Sequence, residues 1–165
     1  MNLNQGMHYM LSVEEAQERI LGMFQALESE RKPLLDALGQ VLAEDVVSTL
    51  DIPPLTNSAM DGYAVRYEDI EGATYDAPRE LRVVGYLAAG QLPQQEVIYW
   101  TAVRIMTGAP IPPGADTVVP FEETDEVERK AAGQSPGEVA IQREIPQGAN
   151  VRRAAEDTHQ GEVIL

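Results

Sequence analysis

Asn57-Ser58-Ala59-Met60-Asp61-Gly62-Tyr63-Ala64-Val65 is the stretch on which the fold turns. Small polar side chains and an Asp-Gly pair stand directly ahead of an apolar run, so a tight turn delivers the chain into a strand. The Asp-Gly pair suits a turn with positive φ, with the Asp61 carboxylate pointing away from the sheet. Such a carboxylate can serve as a general base, bind Mg²⁺, orient a substrate hydroxyl, or simply accept turn amides. These readings stay open on the residues alone.

Outward from this stretch the texture of the chain differs on its two sides. Upstream, Ser12-Val13-Glu14-Glu15 reads as a capping box. Val13, Ala16, Ile20, Phe24 and Leu27 then recur at helical spacing, predicting a helix from about Ser12 to Glu28. Pro33 and Gly39 bracket a short turn, Leu34 to Leu38, and Gln40 to Ser48 reads as a strand. Pro53-Pro54 closes this region. Downstream, to about Ile145, short β-branched runs alternate with Gly and Pro. They predict strands at Tyr63–Tyr67, Glu80–Tyr86, Val97–Met106, Thr117–Glu123 and Glu138–Glu144. Pro110, Pro112 and Pro113 forbid a continuous strand after Met106. Lys130 to Gly137 reads as a mobile hairpin tip. The expected class is mainly β with an N-terminal helix.

A second segment adds chemistry. In Arg104-Ile105-Met106-Thr107-Gly108-Ala109-Pro110 a strand ends in Thr-Gly. There a hydroxyl and successive backbone N–H groups could face an oxyanion, or the pair could merely end the strand.

Composition narrows the partners. Of the 165 residues, 44% are hydrophobic and 24% charged, which suits a globular core. Lys and Arg number 12 against 27 Asp and Glu, and a net charge of -15 repels a phosphate backbone, so nucleic acid is excluded as a partner. Without cysteine there is no disulfide, thiolate metal site or Cys nucleophile. No signal peptide is read at Met1–Gln5, and no run approaches the ~18 apolar residues of a membrane span. A soluble, cytoplasmic protein is expected. His8 and His159 lack ligand spacing and read as surface residues. The acidic run from Glu122 to Glu128 lacks the spacing of a calcium loop and reads as a solvated strand end. Tyr99 and Trp100 read as core or interface packing.

Taken together and in order, NSAMDGYAV at Asn57–Val65, RIMTGAP at Arg104–Pro110 and Pro113-Gly114-Ala115-Asp116 resemble the MoeA family of molybdopterin molybdenumtransferases. A last segment, Asn150-Val151-Arg152-Arg153 with Glu156-Asp157 and Gly161, follows the family's RRxGED pattern. Ala155 stands where that pattern carries Gly. If the position needs positive φ, alanine costs about 1 kcal/mol there.

The resemblance implies insertion of molybdate into adenylylated molybdopterin, with release of AMP and a divalent cation, Mg²⁺. It implies an elongated dimerisation region, 1–53 with 146–165, interrupted by an inserted β-rich domain, 54–145. It also implies a homodimer with its active site between subunits, and a partner enzyme supplying adenylylated molybdopterin. Asp61 would orient or metal-assist the substrate where the adenylyl group leaves, and Thr107 with the Gly108 amides would donate to an anionic oxygen. Asn57, Ser58, Met60, Gly62, Gly108, Arg152, Arg153 and Asp157 are candidate substrate contacts. For the two arginines, salt bridges to nearby carboxylates are an equal alternative. The family's central pterin-binding domain, with its TGDE-like and SGG-like motifs, and its C-terminal domain are not read here. A fragment that folds without turning over is therefore expected. A non-catalytic scaffold, as relatives such as gephyrin provide, is the alternative.

Overall fold

A computed structural model describes residues 10–134 and 137–165. The chain divides into two compact units, Met1–Glu44 and Asp45–Leu165. Met1–Gln5, where no signal peptide is read, and His8 lie outside the described residues, as do Ser135 and Pro136 of the expected hairpin tip.

In the first unit, α1 (Val13–Leu21) opens on the expected capping box. Ser12 Oγ accepts from the Glu15 amide at 3.1 Å, and Glu15 Oε2 accepts from the Ser12 amide at 3.0 Å. The helix is shorter than its periodicity suggested. It closes at Gly22, and a glycine inside a helix costs about 1 kcal/mol relative to alanine, so Phe24 and Leu27 lie beyond its end. A 3₁₀ turn at Leu34–Asp36 follows Pro33. No residue of α1 is buried, and Val13, Ile20, Phe24 and Leu27 are all exposed.

The strand expected at Gln40–Ser48 does not form. Interstrand bonding begins only at Val46, whose amide donates to the Leu165 carbonyl at 3.0 Å. Ser48 N reaches Glu162 O at 2.8 Å and Ile52 N reaches Thr158 O at 2.9 Å. These are isolated bridges, Val47 with Val163 and Ile52 with Thr158, because only scattered residues find a partner.

The second unit is built on β1 (Asn57–Ser58), β2 (Gly62–Val65), β3 (Arg79–Leu87), β4 (Thr101–Ile105), β5 (Thr117–Pro120), β6 (Glu138–Ile141) and β7 (Val151–Arg152), with a short helix α2 (Tyr67–Ile70) between β2 and β3. Five of them form one mixed sheet in the order β5-β2-β4-β3-β6, antiparallel except for the β3–β4 pair. Alternate side chains of β2 enter different clusters. Tyr63 and Val65 join Ile70, Leu81 and Val139, while Ala64 joins Leu87, Val103 and Val118. Burial of both sides explains why β2 reads as an unbroken small or apolar run and why β4 is interrupted only by Arg104 between its small and apolar residues. The short pair β1–β7 stands apart as a two-stranded ribbon.

Gly62 is required here for a reason other than turn geometry. Its φ is not positive; instead a Cβ at this position would lie 2.0 Å from the Val119 carbonyl oxygen. Only glycine lets β2 and β5 approach this closely.

Three further expectations change. The run Val97–Met106 is strand only from Thr101, because Thr101 Oγ1 bonds back to the Ile98 carbonyl at 2.8 Å and makes a turn. Tyr99 and Trp100 sit on that turn at 64% and 53% exposure, which excludes the core reading for both. The acidic run is no solvated strand end: β5 gives way to a 3₁₀ turn at Phe121–Glu123 and then to α3 (Glu126–Ala131). Lys130, assigned to the hairpin tip, is the penultimate residue of that helix.

Candidate functional site

Asp61 follows β1 and precedes β2, and Thr107 follows β4. Because β2 and β4 are antiparallel neighbours with Gly62 opposite Ile105, the two residues leave the sheet side by side. Oδ1 of Asp61 accepts from both the Thr107 amide and the Thr107 hydroxyl, each at 2.7 Å. Oδ2 accepts no hydrogen bond among the described residues. The Thr107 amide, then its hydroxyl, and to a smaller degree the charge of Arg104 hold the Asp61 carboxyl below the usual carboxylate range.

This geometry corrects the reading of the Thr-Gly turn as an open cradle for an oxyanion. Its amides are already spent. Thr107 N donates to Asp61, Gly108 N to Ser58 O at 2.8 Å, and Ala109 N to Met106 O at 3.0 Å. Backbone donors seldom stay unpaired when a partner is in reach. The anionic oxygen that Thr107 meets is therefore the protein's own. Asp61, expected to point away from the sheet, sets its carboxylate on this turn just beyond the end of β4. Gly108 takes φ +81, a conformation open to glycine without penalty, and so completes the bend.

Ser58 is buried, and its Oγ donates to Met60 O at 2.6 Å while its amide donates to Ala109 O at 2.9 Å. Met60 itself is 39% exposed beside Asp61. Asn57 pairs with Arg152 across β1–β7, and its Oδ1 is buried without a hydrogen-bond partner. Arg152 forms an ion pair with Asp157 and lies 4.0 Å from Glu156 Oε1, so the salt-bridge reading holds for it. The Arg153 guanidinium is exposed and has no ion-pair partner among the described residues. Its amide donates to Glu156 Oε2 at 2.8 Å.

Ala155 adopts φ +61, so the position does demand the left-handed region that favours glycine. Its amide donates to Pro53 O at 2.9 Å, which ties the RRxGED-like loop to the start of this unit.

A shallow hollow of about 220 Å³ is lined by Leu55, Asn57, Leu92, Gly108 and Pro110 among others. A larger one, about 430 Å³, lies between Tyr86 and the 91–95 loop; no candidate residue lines it. Size therefore does not mark the chemistry here. Among the described residues no three His, Cys, Asp or Glu side chains gather as a metal site. Mg²⁺ keeps several waters and needs only one or two carboxylates beside substrate phosphates. The free Oδ2 of Asp61 is a donor of that kind, so the residues fit a partly water-bound Mg²⁺ but not an all-protein cage.

Two side chains escaped the sequence reading. Arg104, on β4 opposite Tyr63, is only 16% exposed and meets Glu126 of α3, with Nε 2.8 Å from Oε2 and Nη2 3.3 Å from Oε1. The signal was present: a charged residue inside a buried strand needs a partner of opposite charge. Asn150, at φ +59, accepts the Ala59 amide on its carbonyl at 2.9 Å and donates from Nδ2 to Val118 O at 2.9 Å, fastening the entry to β7 onto β5.

Known proteins share the sequence and the fold of this chain. A sequence family described as MoeA N-terminal region (domain I and II) matches residues 11–165. Molybdopterin molybdenumtransferase 2 of Mycobacterium tuberculosis is 42% identical over 156 residues, covering 94% of this chain and 36% of the relative. Molybdopterin molybdenumtransferase of Staphylococcus epidermidis is 36% identical over 155 residues, covering 94% and 35%. The crystal structure of the molybdopterin biosynthesis moeA protein from Pyrococcus horikoshii OT3 superposes with a TM-score of 0.77 at 35% identity, covering 92% of this chain and 38% of that one. The chain thus spans roughly a third of the length of the curated relatives it matches. With its mixed β sheet, its capped first helix and the motifs joined at Asp61 and Thr107, the chain belongs to the MoeA N-terminal region family.

Proposed function

We propose that this chain contributes the Asp61–Thr107 pair to a molybdenum cofactor biosynthesis enzyme that inserts molybdate into adenylylated molybdopterin and releases AMP. The observation that carries this reading is the shared Asp61 oxygen. A carboxylate that accepts two hydrogen bonds on one oxygen is fixed in direction, and its second oxygen is left for a ligand.

The direction of the Asp61 shift narrows its role. A general base works best with a pKa near the working pH, and this carboxyl is moved the other way. Asp61 is therefore an orienting or metal-assisting group at the end of the substrate where the adenylyl group leaves. Thr107 acts on Asp61 first: it holds the ionised carboxylate and keeps Oδ2 turned outward. Mg²⁺, when bound, would neutralise phosphate charge at that end. Arg153, whose guanidinium is exposed and has no ion-pair partner among the described residues, is a cation available to offset the acidity of this chain toward an anionic substrate.

The same reading covers assembly. Apolar side chains left bare on the first unit, among them Phe24 and Leu27 at 73% and 96% exposure, favour a homodimer that completes the site between subunits. The elongated region is assigned to 1–53 with 146–165 and the inserted domain to 54–145. A cytoplasmic setting and a partner enzyme delivering adenylylated molybdopterin follow from the same reaction. The chain alone is expected to fold without turning over.

The test places Asp61→Asn in the full-length protein and assays molybdate insertion into adenylylated molybdopterin. A loss of about 10²–10³-fold in kcat, the scale of one preorganised polar group, supports the reading. Parental turnover with the fold intact contradicts it and leaves a non-catalytic scaffold as the better account.

A further inference from the structure

Arg104 lies at the crossing of the two segments that carry the pair. Its Nη1 donates to the Gly62 carbonyl at 3.2 Å and to the Ile105 carbonyl at 3.0 Å. Gly62 immediately follows Asp61, and Ile105 stands two residues before Thr107. One guanidinium group thus bonds both strand ends from which the shared-oxygen contact projects.

The guanidinium is itself anchored. Glu126 is 6% exposed and meets both Nε and Nη2 of Arg104, and Lys130 reaches the same Oε1. The rings of Tyr63 and Phe121 lie 5.4 and 5.6 Å from the Arg104 Cζ. A planar, permanently charged fork with this many fixed neighbours has little rotational freedom. Glu126 belongs to α3, so α3 is held to the base of the candidate site through one ion pair.

We infer that Arg104, anchored by Glu126, is a positioning residue for the Asp61–Thr107 pair. It sets the spacing of the two backbones and adds a fixed positive charge behind the Asp61 carboxylate. The inference rests on the function proposed for that pair. Lysine in its place keeps the charge but supplies a mobile point donor instead of a fork. Glutamine removes the charge.

The experiment uses the full-length protein with Arg104→Gln, Arg104→Lys and Glu126→Gln, and Asp61→Asn as reference. It measures kcat and KM of molybdate insertion per folded molecule of each variant. Misplacement of a reacting group by about 1 Å costs on the order of 10²-fold, so Arg104→Gln is expected to lower kcat by roughly that factor with KM nearly unchanged. Arg104→Lys gives an intermediate kcat, again with KM nearly unchanged. A purely structural role would lower the yield of folded protein and leave kcat per folded molecule at the parental value.

Parental kcat in Arg104→Gln, with Asp61→Asn inactive, overturns this inference and leaves the function of the pair intact. Parental turnover in Asp61→Asn removes the function and the inference together. Should Arg104→Gln fail to fold, Glu126→Gln decides. It frees the fork from its anchor, and a lowered kcat supports the inference while a parental kcat overturns it.

Discussion

Asp61 and Thr107 stand 46 positions apart in the chain, yet one oxygen of the aspartate takes both polar hydrogens of the threonine, each at 2.7 Å. The pairing follows from the sheet. With β2 against β4 and Gly62 opposite Ile105, the residues just outside the two strands are neighbours by construction. Backbone pairing brings the pair together, and side-chain chemistry locks it.

The lock has a pH signature. The Asp61 carboxyl lies below its ordinary value in the folded chain, against about 3.9 for an unfolded aspartate. Its contribution to stability is therefore complete above roughly pH 4–5 and is lost as pH falls through the folded value. A carboxyl titration followed by NMR on Thr107→Ala checks this. The Asp61 pKa should rise but remain below the unfolded value, because the residue 107 amide still donates. An unmoved pKa would mean that the hydroxyl contributes nothing.

Ala155→Gly should stabilise the protein. A left-handed alanine costs about 1–2 kcal/mol, and glycine returns about 0.5–1 kcal/mol of that in chain entropy. A net gain near 0.5–1 kcal/mol is expected from urea unfolding, together with a Tm rise of a few degrees. Equal or lower stability would show that the buried alanine methyl outweighs the backbone strain at φ +61.

Gly62→Ala should do the reverse. The added methyl would lie 2.0 Å from the Val119 carbonyl oxygen and 2.8 Å from its carbon, so β5 must move. Overpacking of this kind costs on the order of 3 kcal/mol. Equilibrium unfolding measures it, and a change below about 0.5 kcal/mol would be incompatible with the close β2–β5 approach.

Glu126→Ala should cost more than the double replacement Arg104→Met with Glu126→Leu. Removing one partner of a sheltered ion pair leaves an uncompensated charge, at about 3 kcal/mol, whereas replacing both can be near neutral. Denaturation of the two variants compares them directly. A double variant less stable than the single one would place the value of the pair in attraction and not in mutual compensation.

What could be read from the sequence was what neighbours in sequence decide. The Ser12–Glu15 capping box needs only three residues of separation, and it forms as read. The strands at Tyr63 and Glu80 announce themselves by β-branched and apolar runs. Gly62 was read as a turn glycine because its true reason, the Val119 carbonyl, belongs to a distant strand. Glu126 looked solvated for the same reason: its burial depends on Arg104, which approaches from β4. The Thr107–Gly108 amides looked free because Asp61 and Ser58, which take them, come from elsewhere in the chain. The motifs marked the right neighbourhood, while the direction of each hydrogen bond needed three dimensions.

If Asp61 and Thr107 act as one unit, their coupling appears in a double-mutant cycle on kcat/KM for molybdate insertion. Asp61→Asn, Thr107→Ala and the double variant are compared in the full-length protein. Groups that work as a unit are strongly non-additive, so the double variant should be hardly worse than Asp61→Asn alone. Losses that simply multiply, or single variants with parental activity, would contradict the account.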